Sequence, residues 1–411
     1  VNTLPHADDA RRAAESAART SYGRLVAILA ARTRDIAAAE DALADAFATA
    51  LATWPERGVP AQPEAWLLTA ARRNLHHAHR HARVTTDAVG ELLVRLEERM
   101  AHEGFDGIDE RLRLLFACAH PAITESIRTP LMLQTVLGLD AERIGSAFLV
   151  APSTMGQRLV RAKAKIKEAG VPFEVPGERD LPERLEHVLR AIYVAFGVGW
   201  DDLDAGPGLA EEAIDLGRTL VASMPAEPEP KGLLALMLHC EARRAARRDA
   251  QGRFVPLRDQ DPRRWTSALV VEAENLLVDA ARAARFGRFQ CEAAIQSVHA
   301  QRALTGVLHH DALRTLYDLL LAREPSIGVA VARAAALLEG GDLTGAEHAL
   351  AALEGEDVAR YQPYWVTRAR LAELTGDRAG RRSALERALG LTESPAVRSF
   401  LSDALAEARE P

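Results

Sequence analysis

The sequence predicts an all-α protein: two small helical domains, the second holding a helix-turn-helix, followed by a longer helical domain that ends in repeats. Three observations carry this prediction. The 411-residue chain is 48% hydrophobic but only 5% aromatic, and it is rich in Ala, Leu and Arg with few β-branched runs, a composition that favours helices. Apolar residues recur at spacings of 3 and 4 rather than alternating. Near the end, LLEGGDLTGAEHAL (337–350) and AELTGDRAGRRSAL (372–385) match at an offset of 35, aligning Gly341 with Gly376, Asp342 with Asp377, Gly345 with Gly380, Ala349 with Ala384 and Leu350 with Leu385. A period near that length, with a Gly-Asp turn, belongs to stacked helical hairpins that cover one another's apolar faces.

Taken in order, the first ten residues are polar and expected to be loose. A helical pattern then runs over 16–54 with a break near Thr33–Asp35. Its second helix carries Leu43, Phe47, Ala50 and Leu51 as an apolar stripe, and Glu40, Asp41 and Asp45 near its start, where acid suits the helix dipole. A proline-rich loop covers 54–63. The helix after it, 64–83, sets Trp66, Leu67 and Ala70 against a basic side bearing Arg72, Arg73, Arg80 and Arg83, with His76, His77, His79 and His81 added. Residues 84–110 read as a linker with a short amphipathic helix around Leu92, Leu93 and Leu96, and helix resumes over 111–118.

The apolar run 131–137 ends at Gly138, a residue suited to the left-handed conformation that closes a helix. Asp140 is placed to cap a short helix containing Ile144, Ala147 and Phe148. After the break at Ala151-Pro152-Ser153, Met155, Leu159, Ala162 and Ile166 form one stripe at steps of 4, 3 and 4. At about 100° per residue the opposite face holds Ser153, Gln157 and Arg161, beside Thr154, Arg158, Lys163, Lys165 and Lys167. A basic, polar helix behind a tight turn is what docking in a DNA major groove needs: Gln and Arg for base edges, Arg and Lys for phosphates.

Beyond a two-proline linker at 171–177, the pattern is helical over 185–196, 210–220, 231–248, 263–284, 290–305 and 312–323.

The bulk properties exclude several classes. A net charge of -7 rules out a protein that coats nucleic acid with its whole surface, so DNA contact must come from local patches. Cys118, Cys240 and Cys291 are odd in number and far apart, which suits buried thiols in a reducing compartment rather than disulfides or zinc. His77 and His81 stand i,i+4, but no carboxylate or Cys nearby completes a metal site, so neither metal nor cofactor is expected. No signal peptide precedes the first helix and no apolar run is long enough for a bilayer, so the expectation is a cytoplasmic protein without a membrane partner. His299, His309, His310, Asp311, Asp259 and Asp261 lack any accompanying nucleophile motif or phosphate loop, so the chain is not read as an enzyme. DQDPRRW (259–265) reads instead as an Asp–Arg network with a cap at Asp261.

Several separated motifs, in order, resemble the extracytoplasmic-function sigma factors of bacterial RNA polymerase. AEDALADAFATA (39–50) is similar to the family segment that docks on the clamp coiled coil of the polymerase largest subunit. EAWLLTAARRNL (64–75) resembles the helix that, with the loop before it, captures the unwound −10 element, and 131–168 resembles the −35-reading domain. FACAHPAI (116–123), GLLALMLHCEARRAAR (232–247), DQDPRRW and QCEAAIQSVHA (290–300) narrow the likeness to the subgroup with a C-terminal tetratricopeptide-like extension.

The resemblance implies a region-2-like domain at 1–85, a linker at 86–112, a region-4-like domain at 113–172, and a helical extension at 173–411 with repeats near 325–405. It implies polymerase contact through Glu40, Asp41, Asp45 and Phe47. On the −10 side it implies Arg57, Gln62, Arg72, Arg73, Asn74, His77 and Arg80, and on the −35 side Ser153, Thr154, Gln157, Arg158, Arg161, Lys163 and Lys165. The partners implied are the polymerase core, promoter DNA, and either another protein or the sigma domains themselves for the extension. Two departures stand out: Ala44 where the family has a polar residue, and Leu75-His76-His77-Ala78-His79 where it has an acid and further arginines. They motivate the alternative of an interaction adaptor, or a ligand-responsive regulator, derived from a sigma factor with weakened promoter recognition.

Overall fold

Helix begins earlier than the polar N-terminus suggests. In a computed structural model, which describes residues 5–82, 109–201, 208–353 and 355–409, the first helix is α1 (Pro5–Thr20). Ala10, Ala14 and Ala17 are buried on one stripe, and their small side chains let α1 lie close to α3 (Ile36–Arg57). The expectation of a loose start is thereby corrected from Pro5 onward, with Asp8 and Asp9 exposed and Ala10 in the core; residues 1–4 lie outside the described residues. Every regular element among the described residues is helical, with a single antiparallel bridge between Arg248 and Phe254. The short amphipathic helix expected within 84–110 lies outside the described residues, apart from 109–110.

The chain forms two compact units. The first comprises 1–199 and 207–219, and the second 200–206 and 220–411. In the first, α2 (Tyr22–Thr33) ends at Arg34, which takes the left-handed conformation with φ +52°, and Asp35 caps α3 by accepting from the Ala38 amide at 3.1 Å. The break expected at 33–35 is therefore real. Trp54 at the end of α3 is buried and meets Trp66 of α4 (Pro63–Ala82) edge-on, with ring centroids 5.5 Å apart.

The helices α5 (Glu110–Cys118), α6 (Glu125–Thr135), α7 (Ala141–Ala147) and α8 (Pro152–Glu168) follow. α2 packs directly on α5 and α6. A Cβ at Gly23 would sit 1.7 Å from the Val136 carbonyl oxygen, so only glycine permits that approach.

The unit does not stop at the linker after α8. α9 (Leu181–Asp201), as far as residue 199, and the first part of α10 (Leu209–Ser223) also belong to it. Three buried arginines fix this arrangement. Arg111 donates to Asp109, to Glu212 at 2.6 Å and to Asp215 at 2.8 Å. Arg128 donates to the Ile123 carbonyl, to Glu183 at 3.0 Å and to His187 at 2.7 Å. Arg184 donates to the Phe116 carbonyl. Burial disfavours the charge on Arg111, but Asp109 foremost, then Asp215 and Glu212, outweigh it and push its pKa up.

In the second unit, α11 (Pro228–Ala242), α12 (Ser267–Ala281) and α13 (Arg288–Thr305) pack on one another, and α14 (His310–Arg323) follows. The helix expected over 231–248 stops at Ala242 and gives way to a short 3-10 turn at Arg244–Arg247. Arginines explain the change. Arg264 donates to the carbonyls of Ala245 and Arg248, backbone acceptors that a continuing helix would otherwise use, while Arg248 donates to the Gly252 carbonyl and Arg247 lies 4.0 Å above the Trp200 ring. The helix expected over 263–284 likewise begins only at Ser267, and Asp261 caps a 3-10 turn as anticipated.

The repeat is seen directly. α15 (Ile327–Glu339) and α16 (Leu343–Ala351) form one hairpin, and after the short α17 (Glu356–Ala359), α18 (Gln362–Thr375) and α19 (Arg378–Leu391) form another, with α20 (Pro395–Glu407) closing the chain. Gly341 and Gly376 have φ +83° and +76°, and Asp342 and Asp377 each cap the following helix by accepting from Gly345 and Gly380 at 2.8 Å. A Cβ at either of those capped glycines would strike the capping carboxylate, which explains why glycine recurs there.

Candidate nucleic-acid interface

The turn before α8 is built for a tight corner. Gly138 has φ +66°, Asp140 accepts from the Arg143 amide at 2.7 Å, and the close approach of Val150 O to Gly145 leaves 2.6 Å for a Cβ that glycine lacks. Leu149 then adopts φ +54° with 84% of its surface exposed, an unusual state for a side chain with a Cβ. From this corner α8 runs with Met155, Leu159, Ala162 and Ile166 buried. Ser153, Thr154, Gln157, Arg158, Arg161 and Lys165 all lie outside the buried stripe and are exposed. No carboxylate of a described residue pairs with Arg158, Arg161 or Lys165.

Lys163 departs from this pattern and corrects the expectation that it joins the exposed basic face. It is 9% exposed, and its Nζ lies 2.5 Å from Glu40 Oε2 on α3. Glu40, expected as an outward-facing contact, is instead turned inward, 15% exposed, with its pKa raised by burial against the lowering effect of Lys163. A second pair, Lys167 with Asp35 at 2.7 Å, lies on the same side. The physical reason is position on the helix: Lys163 follows Leu159 by four residues and precedes Ile166 by three, so it borders the buried stripe.

The remaining outward face of α3 carries Asp41, Ala44 and Asp45 exposed, Phe47 half-buried and Leu51 49% exposed. Across the loop, Arg57, Gln62 and Arg73 lie at least partly in solvent and Arg72 is half-buried. Asn74 does not point to solvent as expected, because its Nδ2 donates to the Ala42 carbonyl at 3.2 Å and ties α4 to α3. The side chains of His77 and Arg80, and the metal pairing considered for His77 and His81, lie outside the described residues. Among the described residues no group of His, Cys, Asp and Glu is arranged to hold a metal, and no helix is long and apolar enough to cross a membrane.

A second concentration of polar groups lies between α11, α12 and α13, and sequence reasoning gave no sign of it. His239 is 2% exposed and makes no hydrogen bond. Its nearest acid, Glu274 at 3.5 Å, already accepts from the Ser297 hydroxyl at 2.6 Å. Burial first, then Arg243, lowers the His239 pKa to about 4. The serine donates to the glutamate rather than to the imidazole, so this grouping does not activate a nucleophile.

Residues 184–281, which include His239 and Glu274, match a family described as "Family of unknown function (DUF6596)". Over 380 residues, 90% of this chain and 89% of the relative, the chain is 36% identical to an uncharacterized protein of Rhizobium meliloti (strain 1021). The chain belongs to the same family as that protein. No solved structure matches it.

Proposed function

We propose that the chain is a sigma factor of the extracytoplasmic-function type, which directs RNA polymerase to specific promoters in the cytoplasm and is regulated in cis by its helical extension. The observation that carries this reading is the outward face of α8. Six polar or basic side chains, Ser153, Thr154, Gln157, Arg158, Arg161 and Lys165, stand outside the buried stripe behind a glycine-dependent turn in a chain that is acidic overall. Gln157 and Arg161 suit base edges, while Arg158 and Lys165 suit phosphates.

On this reading residues 1–85 are the region-2-like domain and 113–172 the region-4-like domain. Asp41, Asp45 and Phe47 meet the clamp of the largest polymerase subunit. Arg57, Gln62, Arg72, Arg73 and Arg80 serve the melted −10 strand. Removing one phosphate-binding cation from α8 lowers the dependence of log K on log salt by about 0.9.

The test is run-off transcription by core polymerase with the full-length chain on a genomic promoter library. Promoter-specific products are expected, reduced by Arg158→Ala and Arg161→Ala. Their absence across the library overturns the sigma reading in favour of a protein-interaction adaptor.

A further inference from the structure

The outer face of α8 is not uniformly polar. Ser153, Gln157, Val160 and Ala164 follow one another at steps of 4, 3 and 4, in parallel with the buried stripe Met155, Leu159, Ala162 and Ile166 but on the opposite side. None of the four is buried, and Val160, 63% exposed, is the large apolar residue among them. The cations Arg158, Arg161 and Lys165 run along one flank, and none is paired with a described residue. A β-branched side chain at a solvated mid-helix position has no packing partner here and a lower helix propensity than Ala, Leu or Lys. Charge complementarity limits what can lie against it. Cations beside a short apolar strip fit a polyanion with apolar groups between its charges, and a B-DNA major groove offers that combination where a thymine C5-methyl projects between phosphate ridges.

We infer that Val160 is a specificity-determining residue, and that its methyl groups read the C5-methyl of a thymine in the duplex element bound by α8. This inference rests on the promoter-binding reading above and refines it. Gln157, one turn before Val160 on the same stripe, is placed to take the adjacent adenine through N6 and N7. The preferred element is accordingly an A·T step recognised by both a hydrogen-bonding and a methyl signature.

The experiment uses the full-length chain assembled with core polymerase. Labelled duplexes carrying a randomised upstream block are selected by the assembled complex. Each thymine of the enriched block is then replaced by uracil, which removes only the methyl group. One substitution is expected to weaken binding about fourfold, the value of one buried methyl group. Val160→Ala is expected to weaken binding to the thymine duplex by a similar factor and to be indifferent to uracil at that position. Because Val160 is exposed, the variant's circular dichroism and melting should match the parent.

Two results overturn the inference: uracil sensitivity that persists unchanged in Val160→Ala, or an enriched element in which no thymine methyl matters. In both cases selective duplex binding remains and the sigma reading survives. If no duplex is enriched at all, the sigma reading itself fails and the inference falls with it.

Discussion

The pair between Lys163 and Glu40 joins the helix proposed to read DNA to the helix proposed to dock on polymerase, and its energetic weight follows from its burial. With exposures of 9% and 15%, water cannot screen either group well. Glu40 Oε1 has no hydrogen-bond partner, so Lys163 is the principal compensation for the carboxylate. Lys163→Met keeps a stem of similar length and removes the charge. Deleting one partner of a buried pair costs about 3–5 kcal/mol. Glu40 limits the loss by taking up a proton, so the expected cost at pH 7.5 is about 2–3 kcal/mol.

In a unit of this size that is a fall of about 5–10 °C in Tm. The pH dependence has a definite sign. Burial raises the Glu40 pKa above its ordinary value, and loss of Lys163 raises it further. A raised carboxylate favours the folded state at low pH, and that advantage disappears as pH rises through the folded pKa. The penalty of Lys163→Met should therefore shrink between pH 7.5 and 5. Urea titrations at both values, on the parent, Lys163→Met, Glu40→Leu and the double variant, measure it. The double variant should recover most of the loss, because two apolar groups replace two charges. Strictly additive single losses, or a Lys163→Met cost below about 0.5 kcal/mol, refute the coupling.

Other consequences are equally direct. Gly23→Ala drives a methyl group into the Val136 backbone and should cost about 1–3 kcal/mol, read as a lower urea midpoint. Leu149→Gly relieves the positive φ of an exposed side chain and should stabilise by about 0.5–1 kcal/mol in the same assay; destabilisation would show that the leucine packs on something. The His239 pKa is lowered to about 4 by burial and by Arg243. It must gain a charge on unfolding below its ordinary value, so stability should fall as pH drops from about 6.5 toward 4. A His239→Leu variant should show a flatter pH profile over that range. Glu229 accepts from the Phe289 and Gln290 amides at 2.9 and 3.2 Å and so caps α13; Glu229→Ala should lower the melting temperature, at a cost of about 1–2 kcal/mol.

Periodicity made much of this legible in the sequence. The buried stripe of α8, the break at Arg34, the caps at Asp140 and Asp261, and the glycine–aspartate corners of the repeat were all readable, because each is settled within about five residues of chain. What was hidden depends on distant residues. Nothing near Lys163 announces that Glu40 will meet it, although its place beside Leu159 and Ile166 hinted that it would not be solvated. Asn74 looks available for DNA until the Ala42 carbonyl claims it. The expected helix over 231–248 stopped at Ala242 where Arg264, from outside the helical pattern, takes the Ala245 and Arg248 carbonyls. His239 sits in an apolar run, GLLALMLHC, and nothing local reveals that its imidazole is left without a partner.

The three arginines that hold α9 and α10 against α5 and α6 change what counts as the tail. The proline-bearing linker at 171–177 looks like the natural place to cut, yet Arg111, Arg128 and Arg184 make their contacts across it. A protein truncated there would lose the acids Glu183, Glu212 and Asp215 together with the buried apolar residues Leu185, Val188, Leu189 and Ile192. Such a fragment would report on its own misfolding rather than on the proposed regulation, so the informative deletion begins after residue 219. Over evolutionary time the same wiring acts as a ratchet. A head that has made the first helices of its extension part of its own core cannot shed them by a stop codon at the linker, and the two are inherited as one piece.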